Sequence, residues 1–185
     1  MSDLSETRLN GEVVFQGKFL RVEKDEVCLP NGKKSSREVI RHPSAVAIVA
    51  RQDDDLILVR QYRYALGVET VEIPAGKMEQ GEDPDLCAQR ELREETGYSG
   101  HLTLAGSYYS TPGFTDERMY LYLATDLAWA PLTPDEDEFL HVVRIPIRQA
   151  IEDAISGKFY DAKTILGVLL AQAKGFLSAE SVPGK

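Results

Sequence analysis

The stretch GKMEQGEDPDLCAQRELREETGY, residues 76–98, decides the fold of this chain. Asp83 can cap a helix, and Pro84 fits its first position, where the amide that proline lacks would go unpaired anyway. Gly97 is a left-handed stop. The spacing predicts a helix that starts by about residue 84 and ends before Gly97. Upstream, Ile73-Pro74-Ala75-Gly76 reads as a strand end breaking into a glycine loop, so the order is strand, loop, helix.

The acids on that helix are badly placed for its stability. Glu91 and Glu95 lie four residues apart on one face and Glu94 lies three from Glu91, a spacing at which like charges repel. Glu94 and Glu95 also sit at the C-terminal end, where the helix dipole disfavours negative charge. Such a site calls for a cation. Magnesium suits it, since this hard ion takes carboxylate oxygens and bridges to phosphates; the ligand spacing of a calcium EF-hand is missing. An acidic run is ordinarily a solvated face, and here the flanking residues decide otherwise. Arg90 is placed to pair with Glu82 and tie the loop to the helix, a structural role.

Gly76, Glu82, Arg90, Glu91, Leu92, Glu94, Glu95, Gly97 and Tyr98 together match the pattern Gly-x5-Glu-x7-Arg-Glu-U-x-Glu-Glu-x-Gly-U without a departure. In this the chain resembles the Nudix hydrolases. The resemblance implies an α/β fold, an α/β/α sandwich around a mixed sheet, and cleavage of nucleoside diphosphates linked to another moiety. It implies that Glu91 and Glu95 are metal ligands, with Glu94 and the Ala75 carbonyl as further ones, and that the cofactor is Mg2+ or Mn2+.

Composition agrees with a compact enzyme. The chain has 185 residues, 43% of them hydrophobic, enough for a full core, and a net charge of −9. An acidic chain is a poor general binder of nucleic acid or anionic membrane, while a small polyanion remains compatible where metals and arginines reverse the local potential. Cys28 and Cys87 form neither a metal motif nor a disulfide framework and are expected to be reduced. Residues 1–10 lack the apolar core of a signal peptide and no apolar run reaches transmembrane length, so the expected location is cytoplasmic.

Along the chain, Glu12 to Leu29 alternates in two short stretches around Gly17-Lys18, an antiparallel N-terminal sheet. Strands are expected at Arg37–Arg41, Ala45–Ala50, Leu56–Tyr62, Leu102–Tyr109, Arg118–Ala124 and Leu140–Ile145, with Asp53, Asp54 and Asp55 in an exposed hairpin loop. Helices are expected at Ile147–Ser156 and Asp161–Gly175, the latter with Ile165, Leu166, Leu169 and Leu170 at helical spacing. The domain reading is an N-terminal β extension over 1–42 serving dimerisation, a catalytic domain over 43–176 and a flexible tail over 177–185.

A second signature follows. The loop Ser110-Thr111-Pro112-Gly113-Phe114-Thr115-Asp116-Glu117, with its proline about fifteen residues beyond the box glycine, resembles the ADP-ribose pyrophosphatase branch of the family. That resemblance puts Glu117, Thr111 and Pro112 at the terminal ribose of ADP-ribose. It also assigns the general base to the acidic loop 135–139, where Glu136 aligns best and Glu138 is the rival. Arg63 resembles an arginine that contacts the diphosphate or stacks on the base, as a guanidinium can. Phe19, Arg37 and Arg41 lie where relatives supply nucleobase contacts, and are equally readable as ordinary strand residues. His42 and His101 show no paired spacing and receive no role.

The reaction expected is metal-dependent hydrolysis of ADP-ribose to AMP and ribose 5-phosphate by a homodimer with exchanged N-terminal segments. A broader nucleoside diphosphate sugar hydrolase, acting on ADP-glucose or GDP-mannose, shares the same ligands. A noncatalytic ADP-ribose sensor fits less well, because the chain keeps every box carboxylate and has no room after its last helix for a DNA-binding extension.

Overall fold

The structure is a computed structural model that describes residues 3–134 and 138–178. The element order is β1 (Thr7–Gln16), β2 (Arg21–Cys28), β3 (Lys34–Arg41), β4 (Ala45–Gln52), β5 (Asp55–Arg63), β6 (Val68–Glu72), β7 (Ala75–Lys77), α1 (Pro84–Thr96), β8 (Tyr98–Tyr109), β9 (Arg118–Trp129), β10 (Leu140–Pro146), α2 (Ile147–Ser156) and α3 (Ala162–Ala173). These fall into two compact units that divide between Ser44 and Ala45, with Tyr108–Met119 joining the first.

In the first unit β1, β2 and β3 form an antiparallel sheet in that order. β2 alternates, burying Glu23, Asp25 and Val27 on one face. β1 does not: all ten of its residues are exposed, and it is held by backbone pairing with two register shifts. It begins at Thr7, ahead of the alternation at Glu12, because pairing rather than burial defines it.

The second unit is a mixed sheet flanked by helices, as the sequence predicts. Its strand order is β10-β5-β4-β9-β8, with β6 on β5 and β7 on β4. β4 is central and buried from Ala45 to Ala50. Asp53 and Asp54 are an exposed two-residue turn between β4 and β5, with Gln52 opposite Asp55. Alternation along β4 sorts the helices onto two faces. Val46, Ile48 and Ala50 pack with Cys87, Ala88 and Leu92 of α1, while Val49 lies against Gly167 of α3 together with Ile73 and Leu121.

Some boundaries differ from expectation. The strand foreseen to end near Gly76 is two strands, β6 and β7, split at Ile73-Pro74 because proline has no amide for a ladder. β8 starts at Tyr98 and β9 runs to Trp129, both beyond their apolar patterns. Among the described residues no helix is long and apolar enough to cross a membrane. Cys28 and Cys87 are free thiols.

Candidate functional site

Helix α1 is built as its sequence dictates. The Asp83 side chain accepts from the Asp85 amide at 2.8 Å, Pro84 opens the helix, and Gly97 closes it at φ 79° with its amide on the Arg93 carbonyl. A side chain at 97 would also meet the Trp129 ring at 2.3 Å.

This helix carries Glu91 and Glu95 into the interior, where they are only 5% and 4% exposed. The loop entering α1 closes over them. A Cβ at Gly76 would lie 1.9 to 2.2 Å from the Glu91 carboxyl group, so only glycine leaves room, and the Ala75 amide donates to Glu95 Oε2 at 2.9 Å. Arg90 forks onto Glu82 at 2.9 and 3.0 Å, and its Nη1 reaches Glu91 at 2.7 Å and Glu94 at 2.8 Å. The expected Glu82–Arg90 tie is therefore present, and one guanidinium serves three acids.

Charge is unevenly distributed over these groups. The Arg90 hydrogen bonds draw the Glu82 carboxyl down to about 2. Burial pushes Glu91 up to about 7, against the pull of Arg90, and pushes Glu95 up to about 8, against the Ala75 amide and a weaker pull from the Lys163 charge. The charge of Glu138 raises both Glu91 and Glu95, so its carboxylate, exposed on the approach to β10, acts on this pair. Glu136 lies outside the described residues. Among the described residues no three His, Cys, Asp or Glu side chains form a closed cation cage, Arg90 being inserted among Glu82, Glu91 and Glu94. A divalent cation fits the chemistry of the donor set nonetheless: the donors are hard oxygens, and two are buried without a full countercharge.

Arg63 is committed to Glu72, which it forks at 2.7 and 2.5 Å. Glu72 is 2% exposed and also receives Lys163 and the Thr70 hydroxyl, the latter at 2.6 Å. Burial alone would raise its carboxyl, but Arg63, Lys163 and Thr70 hold it down at about 2. Glu72 was not singled out from the sequence, and Lys163 only as part of the segment 160–164 to which the family resemblance weakly extends, with no role given to it. The available signal was weak: Glu72 alternates with Thr70 on one face of Val68–Glu72, and nothing in that pattern says the face is buried.

The remaining candidates belong to the first unit. Arg41 bridges Glu23 at 2.9 Å and Asp116 at 3.1 Å, and Asp116 accepts the His42 amide at 3.0 Å. His42 Nδ1 lies 3.3 Å from Glu117, and its ring meets Phe19 edge to face at 5.6 Å. The Phe114 carbonyl accepts the Ile40 amide at 2.7 Å, docking the 110–117 loop on the end of β3. Thr111 turns this loop through its carbonyl, and Pro112 is exposed. Phe19, Arg41 and Glu117 are thus gathered around His42, which its lone position in the sequence had not marked. Arg37 is not in that group: it pairs with Glu6 at the edge of the sheet.

Comparison with known proteins agrees with this geometry. The family model described as "NUDIX domain" matches residues 40–165, and that described as "Nucleoside diphosphate sugar hydrolase N-terminal domain" matches residues 6–40. An "ADP-ribose pyrophosphatase" of Bacillus subtilis (strain 168) is 41% identical over 97% of this chain and 100% of its own. A "Methanol dehydrogenase activator" of Bacillus methanolicus is 40% identical over 90% of this chain and 92% of its own. A crystal structure of an "ADP compounds hydrolase" superposes with a TM-score of 0.85 at 28% identity, over 95% of this chain and 97% of that one. With Glu91 and Glu95 of its box buried beside the Gly76 loop and a family match across two thirds of its length, the chain belongs to the Nudix family of hydrolases.

Proposed function

We propose that the chain hydrolyses the diphosphate of ADP-ribose to AMP and ribose 5-phosphate. The observation that carries this reading is the pair Glu91 and Glu95, two carboxylates buried under Gly76 with too little positive charge to balance them. Support for the substrate comes from relatives in Bacillus subtilis and Mycobacterium tuberculosis whose name is "ADP-ribose pyrophosphatase".

Glu91 and Glu95, with Glu94 and the Ala75 carbonyl, would hold the cation, taken here to be Mg2+ with Mn2+ as a substitute. When bound, such an ion polarises the diphosphate, lowers the pKa of water and offsets charge developing on the leaving phosphate. Arg90 and Glu82 keep the helix and its entry loop in register. Glu136 or Glu138 takes the proton from the water that attacks phosphorus; of the two, Glu138 lies among the described residues, and its charge acts on Glu91 and Glu95. The bridging oxygen leaves with the other phosphate. Arg63, forked on Glu72 but with its side chain 41% exposed, contacts the diphosphate or stacks on the base with its open side, and Glu117, with Thr111 and Pro112, faces the terminal ribose. Phe19 and Arg41 serve the nucleobase; Arg37, paired with Glu6, serves the N-terminal sheet.

The working organisation is the extension 1–42, the catalytic domain 43–176 and the tail 177–185, in a cytoplasmic homodimer that engages neither nucleic acid nor membrane. Support for the dimer comes from β1, whose Leu9, Val13, Val14 and Phe15 are all exposed, an uncovered apolar strand of the kind that a second copy covers. A broader nucleoside diphosphate sugar preference is the second reading, favoured by the N-terminal domain match and by relatives named "GDP-mannose pyrophosphatase". Measuring kcat/KM with magnesium for ADP-ribose, ADP-glucose and GDP-mannose separates the two. ADP-ribose is expected to lead by at least about tenfold, and comparable values for all three would replace the first reading by the second.

A further inference from the structure

The connection from β6 into β7 is held at each of its four residues. Glu72 is gripped by Arg63, Thr70 and Lys163. The Ile73 amide donates to Thr164 Oγ1 at 2.9 Å, the Pro74 carbonyl accepts the Ile48 amide at 2.8 Å, and the Ala75 amide donates to Glu95 at 2.9 Å. Two of these anchors, Lys163 and Thr164, come from the first turn of α3, far from the box in sequence.

That turn is wired in one direction. Asp161 caps α3 by accepting the Thr164 amide at 2.9 Å, and it also accepts the Thr164 hydroxyl proton at 2.5 Å. With its proton spent on Asp161, the hydroxyl oxygen can only accept, and the amide it accepts is that of Ile73. Thr164 is fully buried on a helix whose other buried residues are Gly167, Val168 and Ala171, so an aliphatic side chain would fill the site equally well. Lys163 Nζ bridges Glu72 and Asp161, the latter at 3.1 Å, and fixes the same turn to the neighbouring residue of the connection.

We propose that Lys163 and Thr164 are positioning residues, a clamp that sets the Ala75 carbonyl and the Glu95 carboxylate for a divalent cation by holding Glu72 and Ile73. The clamp touches neither cation nor substrate. It rests on the reading that the box acids bind a cation, and it adds that α3 controls how well they do so. Partners behind metal ligands commonly change metal affinity by about 10–100-fold when removed.

The test uses the full chain without substrate and follows its melting temperature as Mg2+ or Mn2+ is titrated. ADP-ribose hydrolysis is then measured over the same range. T164V, which keeps the shape and removes the hydroxyl, is expected to need about tenfold more cation for half its thermal shift and half its maximal rate. At saturating cation kcat should recover, which a general packing defect would not allow. T164S should restore the wild-type cation dependence, and K163M should behave like T164V. If T164V does not melt cooperatively, the decision passes to K163M, with K163R as its conservative partner. Unchanged cation dependence in both folded T164V and K163M overturns the clamp and leaves the metal reading intact. A wild-type chain that neither shifts its melting temperature nor gains activity with cation overturns both.

Discussion

Glu72 and Glu95 lie in the same compact unit, are 2% and 4% exposed, and differ in almost everything else. Glu72 has two cations and a hydroxyl around it, and its carboxyl is held at about 2. Glu95 has one backbone amide and only a weak pull from the Lys163 charge, and burial leaves its carboxyl at about 8. Burial costs a charge its hydration in either place, and only the partners decide whether the charge survives. Glu72 is a finished structural ion cluster. Glu95 is an unfinished one, and a bound cation would complete it.

The contrast is open to direct attack. The largest effect is expected for Glu95→Gln, which should lower kcat by about a thousandfold or more, a loss of about 4 kcal/mol of transition-state stabilisation. In chelator at neutral pH the same variant should melt no lower than the wild type, since a carboxyl that titrates at about 8 is already largely protonated and glutamine keeps its shape and its acceptor for the Ala75 amide. Glu72→Gln should do the reverse. It leaves Arg63 and Lys163 facing a neutral group, and urea unfolding should show a loss of about 3 kcal/mol whether or not cation is present. Gly76→Ala should lower activity by about a hundredfold at little cost in folding, because displacing the Glu91 carboxylate by about 1 Å spoils the site geometry. The smallest effect is one of pH. The Glu72 carboxyl falls from an ordinary 4.5 to about 2, so its contribution is fully present above about 4.5 and is lost as pH falls toward about 2. Urea midpoints should therefore drop between pH 5 and pH 3 in the wild type, and Glu72→Gln should flatten that drop.

The two carboxylates were also unequally legible in the sequence. Glu95 was readable because its signal is local: cap, proline, acids at helical spacing and a stopping glycine all fall within residues 76–98, and the structure keeps each of them. Glu72 was not, because its partners Arg63 and Lys163 come from other elements, the second of them 91 residues away. His42 escaped for the same reason, since its role depends on the 110–117 loop docking beside β3. Strand boundaries followed this rule too. β4, buried from Ala45 to Ala50, started where its apolar run starts, whereas exposed β1 began five residues before any alternation. The hydrophobic pattern records burial, and an exposed strand such as β1, held by backbone pairing and by polar contacts such as Arg8–Asp25 and Asn10–Glu26, leaves little trace in it.

The claim that the box acids hold a catalytic cation is tested most directly by the rate of AMP release from ADP-ribose as a function of free Mg2+. The wild-type chain should be inactive in chelator and activate saturably, while Glu95→Gln should stay near background across the range. Equal rates with chelator and with magnesium, or a Glu95→Gln variant as active as the wild type, would contradict it.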